Sequence, residues 1–294
     1  MNFNEDTLKG WSKGPGDAER EKCENTERAI RNAIAEDAEL SKLGIETVTQ
    51  GSYRARTNVK QDSDVDICIR CRRTFLFDLP DGTTRETFGI TPATLHFADY
   101  KNKVEGALRR YFKEGKVSRG NKAFDIHANS YRVDADVVPT FEYRYYRSGL
   151  PYIEGVAFLE DRGPRIVNFP DQTDGNGIAR NDATSRRYKR CIRILKNLRN
   201  NMQEQKVPAA NHIASFLIEC LVWNANTDAF KNDEFTAMIR HILIDLWNRT
   251  KADKDCSEWC EVNGVKLLFH SSQPWNQVQA HQFIEACWRH MGYS

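Results

Sequence analysis

The spacing of apolar positions changes along the chain from helical to strand-like and back, and these changes divide it. Cys23, Thr26, Ile30, the adjacent Ala33 and Ile34, and Ala38 follow i, i+3, i+4 spacing, a narrow stripe that predicts one amphipathic helix over residues 17–40. Ile45-Glu-Thr-Val-Thr-Gln50 predicts a strand ending on Gly51-Ser52. A β-prone run, Ile67-Cys68-Ile69, follows Asp66, and Leu79-Pro-Asp-Gly-Thr83 has the composition of a hairpin tip behind it. Residues 94–114 predict a helix stopped by Gly115. From 117 to 169 the chain is strand-rich, with turns at Ala128-Asn129-Ser130 and Asp161-Arg162-Gly163-Pro164. The polar, Gly- and Asn-rich stretch up to Ala183 predicts a crossing between two lobes. Helices are then expected at 183–204, with Asn181 or Asp182 as the N-cap, and at 209–225, 232–250 and 274–291, with a short hairpin at Asn263-Gly264. The expected class is α/β in the α+β sense. A mixed-sheet lobe with a long N-terminal helix occupies residues 1–170, and a helical lobe occupies 171–294.

Composition removes several alternatives. The 294 residues carry 43 basic and 41 acidic side chains, a net charge of +2, so no global basic field suggests a nucleic-acid partner. The clusters Arg70-Cys71-Arg72-Arg73 and Arg186-Arg187-Tyr188-Lys189-Arg190 are local, as polyphosphate binding requires, although solvated faces explain them equally well. Residues Ile213–Ala225 form the most apolar stretch, but it is too short for a bilayer and contains Glu219, so it reads as a core helix and no membrane partner is expected. Cys68-x-x-Cys71 has no second such pair, and Cys256, Cys260 and His270 lack a nearby fourth ligand. Reduced thiols, no signal peptide and a cytoplasmic location are the expectation. Neither Gly-x-x-x-x-Gly-Lys nor His-Glu-x-x-His occurs, which removes the P-loop and zincin classes.

Candidate chemistry lies in the acidic pairs. Asp-x-Asp occurs at 62–64, 64–66, 134–136 and 253–255. Asp62 sits in Lys60-Gln61-Asp62-Ser63, which reads as a turn, and Asp253 and Asp255 lie in a polar linker. Asp66 and Asp136 instead run into apolar strands, with Val133, Ala135 and Val137 on the opposite parity to Asp136. In a strand Asp64 and Asp66 share a face, and Asp136 on a neighbouring strand supplies a third carboxylate. Three such groups suit a pair of divalent ions roughly 3.5–4 Å apart that clamp the attacking and leaving oxygens at phosphorus. Magnesium fits an oxygen-rich site of this kind, with manganese able to replace it. Gly51 lets the backbone approach phosphate oxygens, and Ser52 offers a hydroxyl and an amide.

Two stretches, Gln50-Gly51-Ser52-Tyr53-Arg54 followed by Asp62-Ser63-Asp64-Val65-Asp66-Ile67, and Asp136-Val-Val-Pro139, closely resemble the signature of the DNA-polymerase-β-like nucleotidyltransferases. The resemblance is specifically to the bacterial CD-NTases related to cyclic GMP-AMP synthase. Arg193-Ile-Leu-Lys196-Asn-Leu-Arg199 and Ser215-Phe216-Leu217 resemble the two helices from which that family contacts the triphosphate, so the likeness spans residues 17 to 250. It implies a metal-dependent enzyme with its nucleotide site in a cleft between the lobes. Asp64 and Asp66 would hold both magnesium ions, and Asp136 the one nearest the attacking 3'-hydroxyl. Ser52, Lys196 and Ser215 would contact the triphosphate; the plain alternative for Lys196 is a snorkelling surface lysine. The substrates would be nucleoside triphosphates such as ATP or UTP, closed in two rounds into a cyclic di- or oligonucleotide. An antiphage signalling role in a bacterium follows, with an effector reached through the product and no nucleic-acid activator expected. Family members that use a pyrimidine carry an asparagine near Asn168, which points to UTP. Phe216 would stack on a base or serve as core. The remaining alternatives are a transferase acting on RNA or on a protein side chain, and an idle nucleotide sensor. All three carboxylates being present argues against the sensor.

Overall fold

The computed structural model describes residues 2–60, 64–113, 115–148 and 150–293. The expected turn at Lys60-Gln61-Asp62-Ser63 and the Glu114 end of the expected helix therefore lie outside the described residues. In chain order the main elements are α1 (Glu5–Trp11), α2 (Asp17–Ala35), β1 (Ile45–Gln50), α3 (Gly51–Ala55), β2 (Val65–Asp78), α4 (Phe97–Phe112), β3 (Val117–Arg119), β4 (Phe124–Ile126), β5 (Ala135–Arg147), β6 (Leu150–Leu159), β7 (Arg165–Asn168), α5 (Pro170–Ala183), α6 (Tyr188–Glu204), α7 (Ser215–Asn224), α8 (Phe235–Thr250) and α9 (Gln277–Met291).

These elements gather into two units. One comprises Gly16–Arg54 and Ser63–Pro170; the other comprises Met1–Pro15, Ala55–Asp62 and Asp171–Ser294. Against the expected cut at 170, residues 1–15 and 55–62 thus cluster with the helical unit. Leu8 of α1 is buried in the helical core, and Glu5 accepts hydrogen bonds from the backbone N–H groups of Phe235 and Thr236 at 3.0 and 2.9 Å.

The first unit is built on a seven-stranded mixed sheet with the path β1-β2-β5-β4-β3. The β2–β5 pair is parallel and every other pair antiparallel. β5 is long enough to serve two neighbours: its first residues pair with β4 and its later ones with β6, which in turn pairs with β7. Helices α2 and α4 supply the apolar cover. Ile30 and Ile34 of α2, and Tyr100, Val104 and Leu108 of α4, join Ile67, Ile69, Val137 and Phe141 in one core. The Tyr100 hydroxyl donates to the Ile69 carbonyl at 2.6 Å, and its ring stacks on Phe141 at 5.3 Å, so the aromatic is buried with its polar tip satisfied. At the start of β2, β4 and β5 burial alternates strictly, with apolar neighbours inward and the aspartates Asp66, Asp125 and Asp136 on the other parity.

Four expected elements differ, each for a local reason. The first helix ends at Ala35, because Asp37 Oδ1 accepts from the backbone N–H groups of Glu39 and Leu40 and starts a separate 3-10 turn, Leu40–Leu43. A turn is present at Pro80–Thr83, but among the described residues no strand returns along β2, whose two edges are taken by β1 and β5. The expected crossing at 171–183 is helix α5. Pro170 opens it with φ already set, Gly177 is buried beside Val262, and Asn176 Nδ2 donates to the Val262 carbonyl at 2.8 Å. Tertiary contact has outweighed weak helix propensity. Asn181 and Asp182 consequently lie inside α5 and begin no helix. α6 starts at Tyr188, whose N–H is met by Thr184 Oγ1 at 3.0 Å, while Asn181 Oδ1 accepts from Lys189 N at 3.2 Å.

Candidate active site

The sheet brings its carboxylates onto one rung. Gln50 of β1 faces Asp66 of β2, Asp66 faces Asp136 of β5, Asp136 faces Asp125 of β4, and Asp125 faces Ser118 of β3. Three adjacent strands therefore present three carboxylates in a row, where like charges side by side oppose one another. Asp64 precedes β2 and acts electrostatically on Asp136. Asp134, two residues before Asp136, serves the backbone instead. Its Oδ1 accepts from Ala128 N at 2.7 Å and its carbonyl accepts from Val65 N at 3.1 Å, which locks the turn and the start of the parallel pair.

Charge crowding is visible at Asp136. Its carboxyl keeps some access to solvent, yet its pKa is pushed up to about 6, first by the protein packed round it, then by the Asp125 charge and a hydrogen bond to Asp125, then by Asp64 and Asp134. Asp125 was not singled out from the sequence. Its signal, an acidic residue between the buried Phe124 and Ile126, is an ordinary strand alternation, and only the register puts it beside Asp136.

Gly51 turns the chain from β1 into α3 with φ +67°, a left-handed conformation open to glycine. A Cβ there would lie 1.9 Å from Asp66 Oδ2. The glycine is thus needed to make room for a carboxylate. Gly51→Ala is expected to lower kcat about a hundredfold, since a displacement of about 1 Å at a reacting centre costs that much. Gly44 has φ +62° and nothing within 4 Å of where a Cβ would stand, so Gly44→Ala carries the same backbone strain without the collision. Steady-state rates of the two variants, beside their thermal midpoints, separate the effects; equal activity in both would remove the clash as the cause.

The donor set fits a hard divalent cation. It consists of carboxylate oxygens, and the Asp136 carboxyl already holds its proton more tightly than normal, first through burial and then through the negative charge beside it. Among the described residues no group of three or more His, Cys, Asp or Glu side chains is found that could hold a metal ion.

The helical unit holds the other expected residues. Lys196 is fully buried, and its ammonium donates to Glu219 Oε1 at 2.7 Å, so it is not a snorkelling surface lysine. Thr57 Oγ1 donates to the same oxygen at 2.8 Å. Lys196 must exchange that carboxylate to meet a phosphate. Ser215 is the first residue of α7, and its Oγ accepts from Arg199 Nη1 at 3.1 Å. Phe216 is half-buried at the edge of the helical core, its ring 6.4 Å from that of Trp275. In the sheet unit, Asn168 closes β7 opposite Val156, and among the described residues its side-chain amide has no hydrogen-bond partner.

A mixed sheet that presents a glycine-cleared row of aspartates, in a chain that continues into a helical unit, defines a polymerase-β-like nucleotidyltransferase. Comparison with known proteins narrows this. Residues 175–292 match the model of the cGAS/DncV-like nucleotidyltransferase C-terminal helical domain. The chain is 40% identical to the cyclic dipyrimidine nucleotide synthase CdnE of Cecembia lonarensis, over 99% of each chain. It is 38% identical to the protein of the same name from Legionella pneumophila, over 98% of this chain and 97% of that one. The structure of the Rhodothermus marinus CdnE c-UMP-AMP synthase with Apcpp and Upnpp superposes with a TM-score of 0.85 at 30% identity, covering 99% of this chain and 95% of the other. The chain belongs to the CD-NTase family of cyclic nucleotide synthases. It is an enzyme, a nucleotidyltransferase, and members of this family generally depend on a divalent metal. Among the described residues no helix is long and apolar enough to cross a membrane.

Proposed function

We propose that this protein joins and cyclises nucleoside triphosphates into a cyclic dinucleotide, with UTP as a substrate, and that the product acts as a cytoplasmic messenger in antiphage signalling. The observation that carries the reaction is the rung of Asp66 and Asp136 on the parallel β2–β5 pair, with Asp64 beside it and Gly51 leaving room for Asp66. The choice of a pyrimidine is supported by two relatives named dipyrimidine synthases that align over nearly the whole chain.

Asp64, Asp66 and Asp136 would hold two magnesium ions, or manganese in their place. Bound there, the ions supply Lewis acidity at the α-phosphate and lower the cost of the departing charge. Asp136 would take up the proton of the 3'-hydroxyl. The freed oxygen forms a bond to the α-phosphorus of a second nucleotide, and the bond from that phosphorus to the pyrophosphate oxygen breaks. A second round with the roles exchanged closes the ring and releases a second pyrophosphate. Gly51, Ser52 and Ser215 would cradle the triphosphate, with Lys196 joining once Glu219 is exchanged. Asn168 would offer one donor and one acceptor to a base edge, and Phe216 a stacking face.

The test is incubation of the protein with all four triphosphates and Mg2+, each omitted in turn, with phosphatase-resistant products identified by mass spectrometry. A cyclic dinucleotide that disappears when UTP is withheld is expected. Linear products that need an RNA or protein acceptor would replace this reading with the other transferase class. Asn168→Ser is expected to change the ratio of pyrimidine to purine incorporated, by about tenfold, more than it changes total turnover. Unchanged preference in a folded variant removes Asn168 from base reading.

A further inference from the structure

The helical unit holds an open pocket of about 730 Å³ along α5, the C-terminal end of α7 and α8, and it shares no residue with the site described above. Its volume lies in the range of small-ligand sites. Of its ten lining residues two are cationic, Arg180 and Arg249, and none is acidic. The two arginines are not equivalent. Arg249 has a carboxylate partner, Asp245, at 3.3 Å, and lies over the Trp259 ring. Arg180 has no carboxylate within ion-pair distance among the described residues. Its guanidinium donates to two neutral acceptors, Thr227 Oγ1 at 2.6 Å and the Ala225 carbonyl, and its Nε is buried without an acceptor. A guanidinium has five N–H donors in a planar fork, so most of the hydrogen-bonding capacity of Arg180 is unspent. Burial also pulls its pKa down, a cost that a bound anion would offset.

The same pocket is lined by Trp223, Asn176, Asn224 and Asn226; Asn176 and Asn224 already spend their Nδ2 groups on backbone carbonyls, and Asn226 Oδ1 accepts from Asp228 N. A half-buried guanidinium beside an indole is the chemistry of a ligand with an anionic end and a flat end. We propose that this pocket binds a nucleotide, with its phosphate on Arg180 and its base against Trp223. The nearby Asp245 acts on Arg180 only through space, because its Oδ2 is taken by the Asn226 N–H and by Arg249, so among the described residues no carboxylate pairs directly with the Arg180 guanidinium.

The experiment is calorimetric titration of the full chain with UMP, AMP and inorganic phosphate at low and high KCl. A nucleotide monophosphate is expected to bind in the millimolar range or tighter, to weaken with salt, and to bind about tenfold more tightly than inorganic phosphate. Arg180→Gln is expected to weaken binding at least about tenfold, and Asp66→Asn to leave it unchanged. Should Arg180→Gln fold poorly, Ala179→Glu puts a negative charge on an exposed lining position and is expected to weaken binding equally. Absence of millimolar binding, equal binding of inorganic phosphate, or loss in Asp66→Asn with retention in Arg180→Gln and Ala179→Glu each overturns the proposal. The last of these would put the monophosphate in the catalytic site.

Discussion

Asp66→Asn is expected to abolish nucleotide joining while leaving the fold intact. Asp66 lies on the rung between Gln50 and Asp136, with Gly51, whose Cβ would stand 1.9 Å from its Oδ2, leaving room for the carboxylate. Asparagine has the same shape, so packing and register are retained, but a neutral amide is a poor ligand for a hard dication. Metal assistance at phosphorus supplies several kcal/mol of transition-state stabilisation, and at 1.36 kcal/mol per tenfold its loss corresponds to a rate at least about a thousandfold lower. Stability should move the other way by a small amount, because one of three adjacent like charges is removed. Product formation followed by mass spectrometry, beside thermal midpoints without added metal, reads both effects. Turnover within tenfold of the parent would show that Asp66 is not a metal ligand.

Glu219→Ala should have the largest effect on stability. Its carboxylate receives the Lys196 ammonium at 2.7 Å and the Thr57 hydroxyl at 2.8 Å, and all three side chains are buried. Removing one member of a buried ion pair leaves the other charge without compensation, at a cost of about 3–5 kcal/mol. The double variant Lys196→Met with Glu219→Leu removes both charges and should recover most of that loss, since a well-packed apolar pair replaces a buried ion pair at little cost. Urea unfolding of the single and double variants measures the difference directly. If Glu219→Ala unfolds at the same urea concentration as the parent, the Lys196 ammonium reaches water and is not pinned inside. The double variant also tests catalysis separately: it would be stable, yet would lack the cation proposed to meet the triphosphate.

Most strands and the later helices were legible because their signal is local. Alternation in Ile45–Gln50, and the apolar runs behind Asp66 and Asp136, depend only on which neighbours are apolar, and those segments became β1, β2 and β5. Helix α5 was not legible. Gly175, Asn176 and Gly177 argue for a loop in isolation, and the tie that holds this segment, Asn176 Nδ2 to the Val262 carbonyl, comes from 86 residues later in the chain. Lys196 shows the same limit at the level of one side chain. Its place in an Arg- and Asn-rich helix pointed to a triphosphate contact, with a snorkelling surface lysine as the alternative, whereas burial against Glu219 is decided by the packing of α6 on α7.

The amino-acid sequence by itself determined the fold class, the residues of the catalytic signature and the family they resemble, because these rest on residue type and short-range spacing. The tertiary structure alone decided that Asp66, Asp136 and Asp125 share one rung, that Gly51 must lack a Cβ because of Asp66, and that Arg180 faces a pocket without an acidic partner. Register and burial are set by pairing between segments far apart in the chain, so no local pattern encodes them.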